Sequence, residues 1–524
     1  MYTSPMTGDA CILGSETAFF AFPRPFPRAG ARVGLAACLA VALAGGCRDR
    51  DAAEADSAEA PAEAEPAPST KPQHEPPPVT EATPLPEDPG AHAGDLAWAV
   101  RFGGPERDAA RGIAPLGDGA VVVGYVSDTA TLGDITHEAQ EVDAYVTRLD
   151  GEGNHLWSTF LSGQGEDSAN SVAVTDSGNI VVAGAFSHEL AIGDDRLAGV
   201  GADNIFVAKL SPDGKRIWAR AFGGNDIDAA HHVSAGPGGR IYVTGVFRDT
   251  VRFGDFTLES EGDADIFALS LSSEGAPIWA RGFGARGPDY GRALVPHPQG
   301  SALLAEFSLE VEFGDHSLRS AGNRDLAIVM LDHSGEPTWA KSFGGYYNEV
   351  GVDLAVDPAG NLIATGSFDD EIDFGGDTLE AAGQSDAFLL KLDAEGEHLW
   401  SRSVGGKDED MGASVATDRY GNIVAAGWFW HEIDFGGAVL KSAGRRDGYI
   451  AKLAPDGAHI WSHRVGGELG DMARAVAVGE DGRIFVAGTF HRTARFGEYE
   501  LTTASENAGG QVPYGDAFVV MFEP

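Results

Sequence analysis

The chain has 524 residues, of which 37 are basic and 79 acidic, so its formal net charge at pH 7 is −42. Binding to nucleic acid needs a basic surface, so this charge excludes nucleic acid as an expected partner and favours cationic or polar partners. Hydrophobic residues make up 43% of the chain and glycines number 71, a composition that favours turn-rich β-structure around a core.

The first 46 residues have the order of an export signal. Arg24, Arg28 and Arg32 precede an apolar run at residues 33–44, and small residues follow up to Cys47. The run is too short to cross a membrane as a helix. A cysteine directly after small residues resembles the signal of bacterial lipoproteins, which implies lipidation at Cys47. Ordinary secretion, with Cys47 incidental, is the alternative.

The composition changes after this signal. Residues 48–95 contain ten prolines and twelve carboxylates against three basic residues, with few large aliphatic side chains. Such a segment cannot bury enough apolar surface to offset the entropy of ordering. We therefore predict a disordered acidic tether at residues 47–95 and a folded domain at residues 96–524. The cysteines Cys11, Cys38 and Cys47 all precede that domain, so no disulfide or Cys-ligated metal site is expected in it.

Seven of the nine tryptophans recur at spacings of 59 to 61 residues, and from the second repeat onward a glycine stands four residues before each of them. Self-similarity at a fixed period is typical of solenoids and propellers. The seven are Trp98, Trp157, Trp218, Trp279, Trp339, Trp400 and Trp461.

The segments within one repeat are short and β-like. In the sixth repeat they are residues 387–392, 399–404, 413–416 and 423–429, and the turn residues 418–422 predict a tight hairpin. Four antiparallel strands per repeat predict an all-β fold, a seven-bladed β-propeller of four-stranded antiparallel blades.

The side chains predict where each strand lies in a blade. The strand after each Gly-Gly turn carries small residues on one face, which suits the crowded axis, and the repeated tryptophan suits the widening gap at the outer strand. Residues 96–102 match the strand that carries the repeated tryptophan, but the other strands of that repeat do not precede them in the chain. Residues 516–522 match the strand that elsewhere comes directly before the tryptophan-bearing strand. We therefore expect the first strand to complete the last blade.

These repeats resemble a known group. The units Asp-Ala-Phe-Leu-Leu-Lys-Leu-Asp at residues 386–393, Gly396, Trp400 and Gly-Asn-Ile-Val-Ala-Ala-Gly at residues 421–427 resemble the bacterial β-propeller repeat of large surface and secreted proteins. The resemblance covers residues 96–522 and implies the fold, but it implies no activity. A weaker resemblance is to quinoprotein-type repeats, whose blades are usually shorter.

A carboxylate stands ten residues after every repeated tryptophan. A circle of carboxylates at one end of a propeller could bind calcium or a cationic ligand. The structural alternative is that each acid accepts backbone N–H bonds in a repeated turn. Calcium is therefore the one candidate cofactor, and no other is expected. The candidate metal ligands are Asp108, Asp167, Asp228, Asp289, Glu349, Asp410 and Asp471.

Two other patterns could indicate a site. Trp428 and Trp430 add aromatic rings to one face of a single strand, where they could contact a sugar or a protein, with packing as the alternative. His231 and His232 lie beside Asp228, but neighbouring residues of a regular strand point to opposite faces, which argues against a shared metal ion.

The sequence therefore predicts an exported, lipid-anchored β-propeller that acts as a binding or scaffolding module at the cell envelope. Outer membrane or cell surface is the expected location, with a periplasmic or secreted protein as the alternative, and a monomer is expected. The expected partners are an envelope protein or glycan, and the expected contact with a membrane is through a lipid at Cys47. A polysaccharide hydrolase or lyase that uses the repeated carboxylates, or a calcium-binding surface protein, are the alternative functions. The chain has no Gly-x-Ser-x-Gly elbow, phosphate loop or dinucleotide fingerprint, and an enzyme is the less expected interpretation.

Overall fold

The computed structural model describes residues 94–505 and 514–524, all of which belong to one compact unit, Thr80–Pro524. The predicted export signal, Cys47 and residues 47–93 of the predicted tether lie outside the described residues. Among the described residues the regular structure is β-strand, apart from a single 3-10 turn at Pro237–Gly239. No helix of the described part is long and apolar enough to cross a membrane.

The described residues form 36 strands, which recur in the same order from repeat to repeat. The first eighteen are β1 (Leu96–Phe102), β2 (Ala109–Leu116), β3 (Gly119–Leu132), β4 (Ile135–Leu149), β5 (His155–Gln164), β6 (Ser168–Val174), β7 (Ile180–Ile192), β8 (Asp195–Leu210), β9 (Arg216–Phe222), β10 (Ala229–Ala235), β11 (Ile241–Phe247), β12 (Thr250–Phe253), β13 (Phe256–Glu259), β14 (Asp265–Leu271), β15 (Pro277–Phe283), β16 (Tyr290–His297), β17 (Gly300–Phe307) and β18 (Glu310–Phe313). The others are β19 (His316–Arg319), β20 (Asp325–Leu331), β21 (Pro337–Phe343), β22 (Glu349–Val356), β23 (Leu362–Phe368), β24 (Glu371–Ile372), β25 (Leu379–Glu380), β26 (Asp386–Leu392), β27 (His398–Val404), β28 (Met411–Thr417), β29 (Ile423–Ile433), β30 (Leu440–Leu453), β31 (His459–Gly467), β32 (Met472–Val478), β33 (Ile484–Phe490), β34 (Thr493–Phe496), β35 (Tyr499–Thr502) and β36 (Asp516–Phe522).

The main strands pair antiparallel in sets of four, and two further pairings extend the sheets: β5 also pairs with β7, which joins the first two sets, and β31 with β34. We number the strands of each set first to fourth in the order of their hydrogen bonding. The sets are β2-β3-β4-β5, β6-β7-β8-β9, β10-β11-β14-β15, β16-β17-β20-β21, β22-β23-β26-β27, β28-β29-β30-β31 and β32-β33-β36-β1. In the last set the fourth strand is β1, which pairs with β36 from Leu96 opposite Phe522 to Phe102 opposite Ala517.

Each repeat is lengthened by a hairpin between its second and third strands. In four sets this hairpin is a separate pair of short strands, such as β12 and β13, and in the others β3–β4, β7–β8 and β29–β30 continue into it. Phe253 at one hairpin tip lies between Phe222 and Phe267, with ring centroids 5.3 and 5.1 Å away. This hairpin therefore packs between its own set and the preceding one through apolar contacts.

The hydrophobic core is divided into clusters that lie between successive sets. One cluster joins side chains of β3 and β4 to side chains of β7 and β8, and the pattern repeats along the chain. A further cluster joins Trp98, Val519 and Met521 of the last set to Ile113 and Tyr145 of the first. Burying apolar surface between sheets supplies the main favourable free energy of such a fold.

The first strands of the sets contact one another in succession, from β2 through β6, β10, β16, β22 and β28 to β32, and β32 also contacts β2. The aliphatic side chain predicted once per repeat on these strands is buried in each of them. These residues are Ile113, Val172, Val233, Leu294, Leu354, Val415 and Val476.

The repeated tryptophans lie on the fourth strands, and each packs against a glycine of the following repeat. Gly335, for example, has φ +82°, and a Cβ atom there would lie only 2.6 Å from the indole of Trp279. The indole N–H usually donates to a carbonyl of the same turn, as Trp218 does to Ser273 at 3.0 Å. The series includes Gly94, four residues before Trp98, which packs on Trp461.

We predict that Gly335→Ala destabilises the protein by about 2–4 kcal/mol, because alanine meets both the left-handed backbone and the Trp279 ring. Gly193→Ala is the matched control, since Gly193 has φ +63° but a Cβ atom there would meet no other atom within 4 Å. The control should lose about 1–2 kcal/mol. Chemical denaturation measures both, and equal losses would show that the indole contact contributes nothing.

Candidate functional site

Six of the seven predicted carboxylates directly precede the first strands and Glu349 is the first residue of β22, and all are buried, with at most 1% of each residue exposed. Asp228 accepts a hydrogen bond from the backbone N–H of Gly224 at 2.6 Å and another from Arg248 at 3.4 Å. Asp471 does the same with Gly467 at 2.6 Å and His491 at 2.8 Å. Asp228 and Asp471 therefore each connect the turn four residues earlier to the residue directly after the second strand, about twenty residues later.

An unusual backbone conformation lies next to the second of these contacts. Just after the second strand, or within it, one residue of every repeat has a positive φ although it is not glycine, a conformation that is costly for side chains. In six repeats the buried acid accepts the N–H of the residue before it, and in the fifth repeat Asp370 adopts the same conformation without that bond. The seven residues are Asp128, His188, Asp249, Leu309, Asp370, His431 and Arg492.

Six of the seven acids, all except Glu349, accept hydrogen bonds from backbone N–H groups, which is the role of the structural alternative. Within residues 94–505 and 514–524, no group of three or more His, Cys, Asp or Glu side chains is placed to hold a metal ion. Calcium binding by Asp108, Asp167, Asp228, Asp289, Glu349, Asp410 and Asp471 remains a prediction for which the structure provides no geometry.

Burial raises the pKa of these acids. The pKa of Asp228 is raised to about 7 against the opposing effect of its two backbone bonds, and Asp108, Asp289, Asp410 and Asp471 share that value. The pKa of Asp167 is raised to about 8. These groups are therefore partly protonated near neutral pH.

The fifth repeat departs from the others at this turn, a departure that we did not predict from the sequence. Its acid is Glu349, whose two carboxylate oxygens have no hydrogen-bond partner among the described residues. The amide of Asp369, which occupies the place of the usual donor, donates instead to the carbonyl of Asn348 at 3.3 Å. Burial, with the nearby Asp325 and Asp369 carboxylates, raises the pKa of Glu349 to about 8.

The same turn carries two exposed aromatic side chains. Tyr346 is 75% exposed and Tyr347 is 45% exposed, and their rings meet edge to face at 5.2 Å. The signal in the sequence is the replacement of a polar turn by Tyr-Tyr-Asn-Glu at residues 346–349. Exposed aromatic rings on a loop are typical of contacts to a protein or a sugar.

Every first strand contains a β-bulge at the same place, three residues after the buried acid. In β10, for example, Ala230 pairs with Gly245 and His232 with Thr244, which leaves His231 as the extra residue. Bulges redirect side chains and often lie beside functional sites. The seven extra residues are Arg111, Asn170, His231, Arg292, Val352, Ala413 and Arg474.

These bulge residues connect neighbouring first strands. Arg111 donates to the side-chain oxygen of Asn170 at 2.5 Å, and Asn170 donates to the carbonyl of Ala230 at 2.8 Å. Nδ1 of His231 is 2.9 Å from the carbonyl oxygen of Gly291. The bulges therefore place polar side chains side by side on successive strands.

The bulge also corrects the expectation for His231 and His232. The two residues do not alternate as on a regular strand, and both rings hydrogen-bond to β16, since Nδ1 of His232 accepts from the N–H of Leu294 at 3.3 Å. Burial and the positive charges of Arg292 and Arg111 lower the pKa of His231 to about 4. The ring of His231 therefore serves as a neutral hydrogen-bonding group between strands.

The two additional tryptophans lie on β29. Trp428 is 8% exposed, and the Arg446 guanidinium lies 6.0 Å from its ring centroid. Trp430 is half-buried, and its backbone N–H donates to Asp410 at 3.0 Å. Packing accounts for Trp428, and contact with a ligand remains a prediction for Trp430.

No family model matches this sequence. The regulatory protein FlaEY of Caulobacter vibrioides is 23% identical over 297 residues, which cover 52% of this chain and 30% of that protein. An uncharacterized WD repeat-containing protein of Acanthamoeba polyphaga mimivirus is 18% identical over 434 residues, which cover 67% of this chain and 31% of that protein. The chain spans less than a third of the length of these curated relatives.

Similar solved structures include a β-propeller. The β-propeller domain of the Trilobed protease from Pyrococcus furiosus has a TM-score of 0.40 and 7% identity, covering 78% of this chain and 99% of that one. The PQQ-bound aldose sugar dehydrogenase from Streptomyces coelicolor has a TM-score of 0.32 and 13% identity, covering 83% of this chain and 99% of that one. These likenesses concern the fold and identify no ligand or activity for this chain.

We predict that the unusual acid of the fifth repeat makes stability fall as the pH rises. Glu349 has a folded pKa of about 8, against about 4.3 when unfolded. Between these values the folded state binds more protons, so the free energy of unfolding decreases with increasing pH. Thermal unfolding between pH 5 and 9 should show a flatter dependence for Glu349→Gln than for the natural chain. The exposed Glu498→Gln is the control, and identical slopes in all three proteins would contradict the prediction.

Proposed function

We propose that the protein is a seven-bladed β-propeller, closed by β1, that acts as a binding module at the cell envelope. Three observations support the closed arrangement of blades. The last set of strands takes its fourth strand from the start of the domain, one hydrophobic cluster joins the last set to the first, and Gly94 packs on Trp461 as the later glycines pack on their tryptophans.

The observation that carries the binding function is where the repeats differ. The tryptophans and aliphatic side chains are nearly constant among repeats, and so are the buried acids. The bulge position holds arginine, asparagine, histidine, valine or alanine, and one adjoining turn holds Tyr346 and Tyr347. The packing residues are thus the same in nearly every repeat, whereas the side chains at one end of the first strands differ. This combination is typical of a scaffold that presents a ligand site.

Binding is favoured over the alternative of a polysaccharide hydrolase or lyase. General acid and base catalysis requires two carboxylates that reach the substrate in different environments. The repeated acids Asp228, Asp289 and Asp410 are instead buried, have the same pKa and hold backbone N–H groups.

The location and partners follow from the sequence as proposals. An export signal at residues 1–46 and lipidation at Cys47 would attach a monomeric propeller to the outer membrane or cell surface through residues 47–95. An envelope protein or glycan is the proposed partner, and a periplasmic or secreted form is the alternative.

The binding function is tested by retention of envelope components on the immobilised full chain. We expect the double variant Tyr346→Ala and Tyr347→Ala to reduce that retention at least about tenfold, because aromatic anchors dominate contact energies. Leu399→Ala, which removes an exposed apolar side chain from a fourth strand, is the control. Equal retention by all three proteins would place the contact elsewhere, and no retention by the natural chain would contradict the function.

The closed ring predicts a difference between two deletions of equal length. Removing residues 96–102 exposes the apolar faces that Trp98 and its strand cover, and we expect the cooperative unfolding transition to be lost. Removing residues 51–57 should leave the melting temperature within about 2 °C, because this segment is predicted to make no core contacts. Differential scanning calorimetry compares them, and a folded first variant would argue against closure by β1.

Lipid attachment is tested in a bacterial host that lipidates proteins. Labelled palmitate should enter the natural chain and be absent from Cys47→Ala, while Cys38→Ala retains the label. Incorporation that persists in Cys47→Ala would exclude the proposed anchor.

A further inference from the structure

The turn that carries the two exposed tyrosines of the fifth repeat contacts an acidic segment. The backbone N–H of Asp369 donates to the carbonyl of Asn348 in the turn at 3.3 Å. A Cβ atom at Gly345, which directly precedes the tyrosines, would lie 2.3 Å from the carbonyl oxygen of Glu371. Three consecutive acids, residues 369–371, therefore lie beside this turn. We define the tyrosine-acid face as Tyr346, Tyr347, Asp369, Asp370 and Glu371.

The tyrosines and these acids occur together in one repeat of the seven. The positions equivalent to residues 369–371 hold at most one acid in each of the other repeats, and the positions equivalent to the tyrosines hold no aromatic side chain there. Asp370 and Glu371 are exposed, and Asp369 is half-buried. Since the rest of the repeat is nearly uniform, a combined departure of this kind at exposed positions indicates a role in recognition.

The hairpin of this repeat lacks the counter-charge that other hairpins provide. In the sixth repeat Glu432 lies opposite Lys441, with Nζ and Oε2 3.7 Å apart. The fourth repeat likewise places Glu310 opposite an arginine. In the fifth repeat Glu371 lies opposite a second acid, Glu380. Like charges directly opposite each other destabilise a sheet, so a positive charge brought by a partner would stabilise this hairpin.

In the described part of the chain no base pairs with these acids: neither the three acids of the tyrosine-acid face nor Glu380 takes part in an ion pair. Two bases lie on the adjoining loops. Arg324 makes its ion pair with Glu306 at 3.2 Å, and the exposed Lys407 pairs with no acid among the described residues. The tyrosine-acid face therefore carries a local negative charge that a cationic partner would compensate.

A further unpaired group at this turn is also a hydrogen-bond acceptor. Glu349 is buried, and neither of its carboxylate oxygens has a hydrogen-bond partner among the described residues. Its Oε1 would lie 3.3 Å from a Cβ atom at Gly345, so this carboxyl group adjoins the turn. Acceptors of this kind call for a ligand that brings N–H donors, and the charged groups of lysine and arginine are donors only.

We propose that the tyrosine-acid face binds a lysine or arginine side chain of an envelope protein. The inference rests on the proposed binding function and names the chemistry of the partner. A cation above an aromatic ring is attracted by the negative face of the ring, and the neighbouring carboxylates attract it as well. A neutral glycan, the alternative partner, would stack on the rings but leave the acids without a counter-charge.

The test is titration of the full chain with a fluorescently labelled peptide of alternating lysine and glycine, and with its arginine counterpart, followed by anisotropy at physiological salt. We expect saturable binding of at least one peptide. The double variant Asp370→Asn and Glu371→Gln should weaken it about fivefold or more, because it removes two carboxylates of the face. Tyr346→Leu should weaken it about twofold or more, whereas Tyr346→Phe keeps the affinity, because a phenylalanine ring still attracts a cation.

The control separates a local site from the net charge of −42, which attracts basic peptides in general. The double variant Asp249→Asn and Glu259→Gln changes the charge of the chain by the same amount and alters exposed acids at the hairpin of the third repeat. Asp249 also has the left-handed backbone of Asp370, with φ +55° against +60°. We expect this control to bind the peptides as the natural chain does.

The outcomes separate the possibilities. A larger loss of affinity in the fifth-repeat variant than in the control supports the proposal, and equal losses in the two overturn it. If the variant at Asp370 and Glu371 has lost its unfolding transition, the leucine and phenylalanine variants of Tyr346 decide. Binding of a neutral probe, maltohexaose, that depends on the tyrosines while neither peptide binds would assign the face to a glycan and overturn the proposal. Retention of envelope components without binding of either peptide would remove only this inference and leave the binding function standing.

Discussion

The fold depends on one repeated contact, the packing of a left-handed glycine on the indole of the preceding repeat. Because glycine has no Cβ atom, the turn can approach the ring to van der Waals distance, and this approach brings the apolar face of one sheet against the next. A sheet in this structure has two apolar faces, and each is covered by a neighbouring set of strands. A single repeat could not bury both faces alone, so the stability of each depends on its neighbours.

The buried acids and the bulges have different roles at the end of the first strands: the acids hold the backbone, and the bulges place the variable side chains. In the third repeat, for example, Asp228 holds the turn before the first strand and the residue after the second strand through backbone bonds. Because the backbone is held in this way, the side chain at the bulge position can differ from repeat to repeat while the pairing of the strands stays the same. Arginine at two adjacent bulges and valine or alanine at two others make the end of the strands chemically uneven. Ligand recognition requires such unevenness within a symmetrical scaffold.

Much of the architecture could be predicted from the sequence because it depends on local and periodic signals. The spacing of Trp98 to Trp461 gives the repeat length, turn residues mark the hairpins, and β1 lacks partners in its own repeat. The bulges could not be predicted, because an extra residue is defined by the pairing register between two strands. For the same reason the alternation rule failed at His231 and His232.

The pairing of β1 with β36 has a consequence for how such a chain can be rearranged. The start and the end of the described domain lie side by side in one sheet, with Leu96 opposite Phe522. Joining them by a short linker and opening the chain at another surface hairpin, such as residues 357–361, would conserve every inter-strand contact. The pairing of the strands therefore does not depend on which strand comes first in the chain, which makes circular permutation a structurally accessible change.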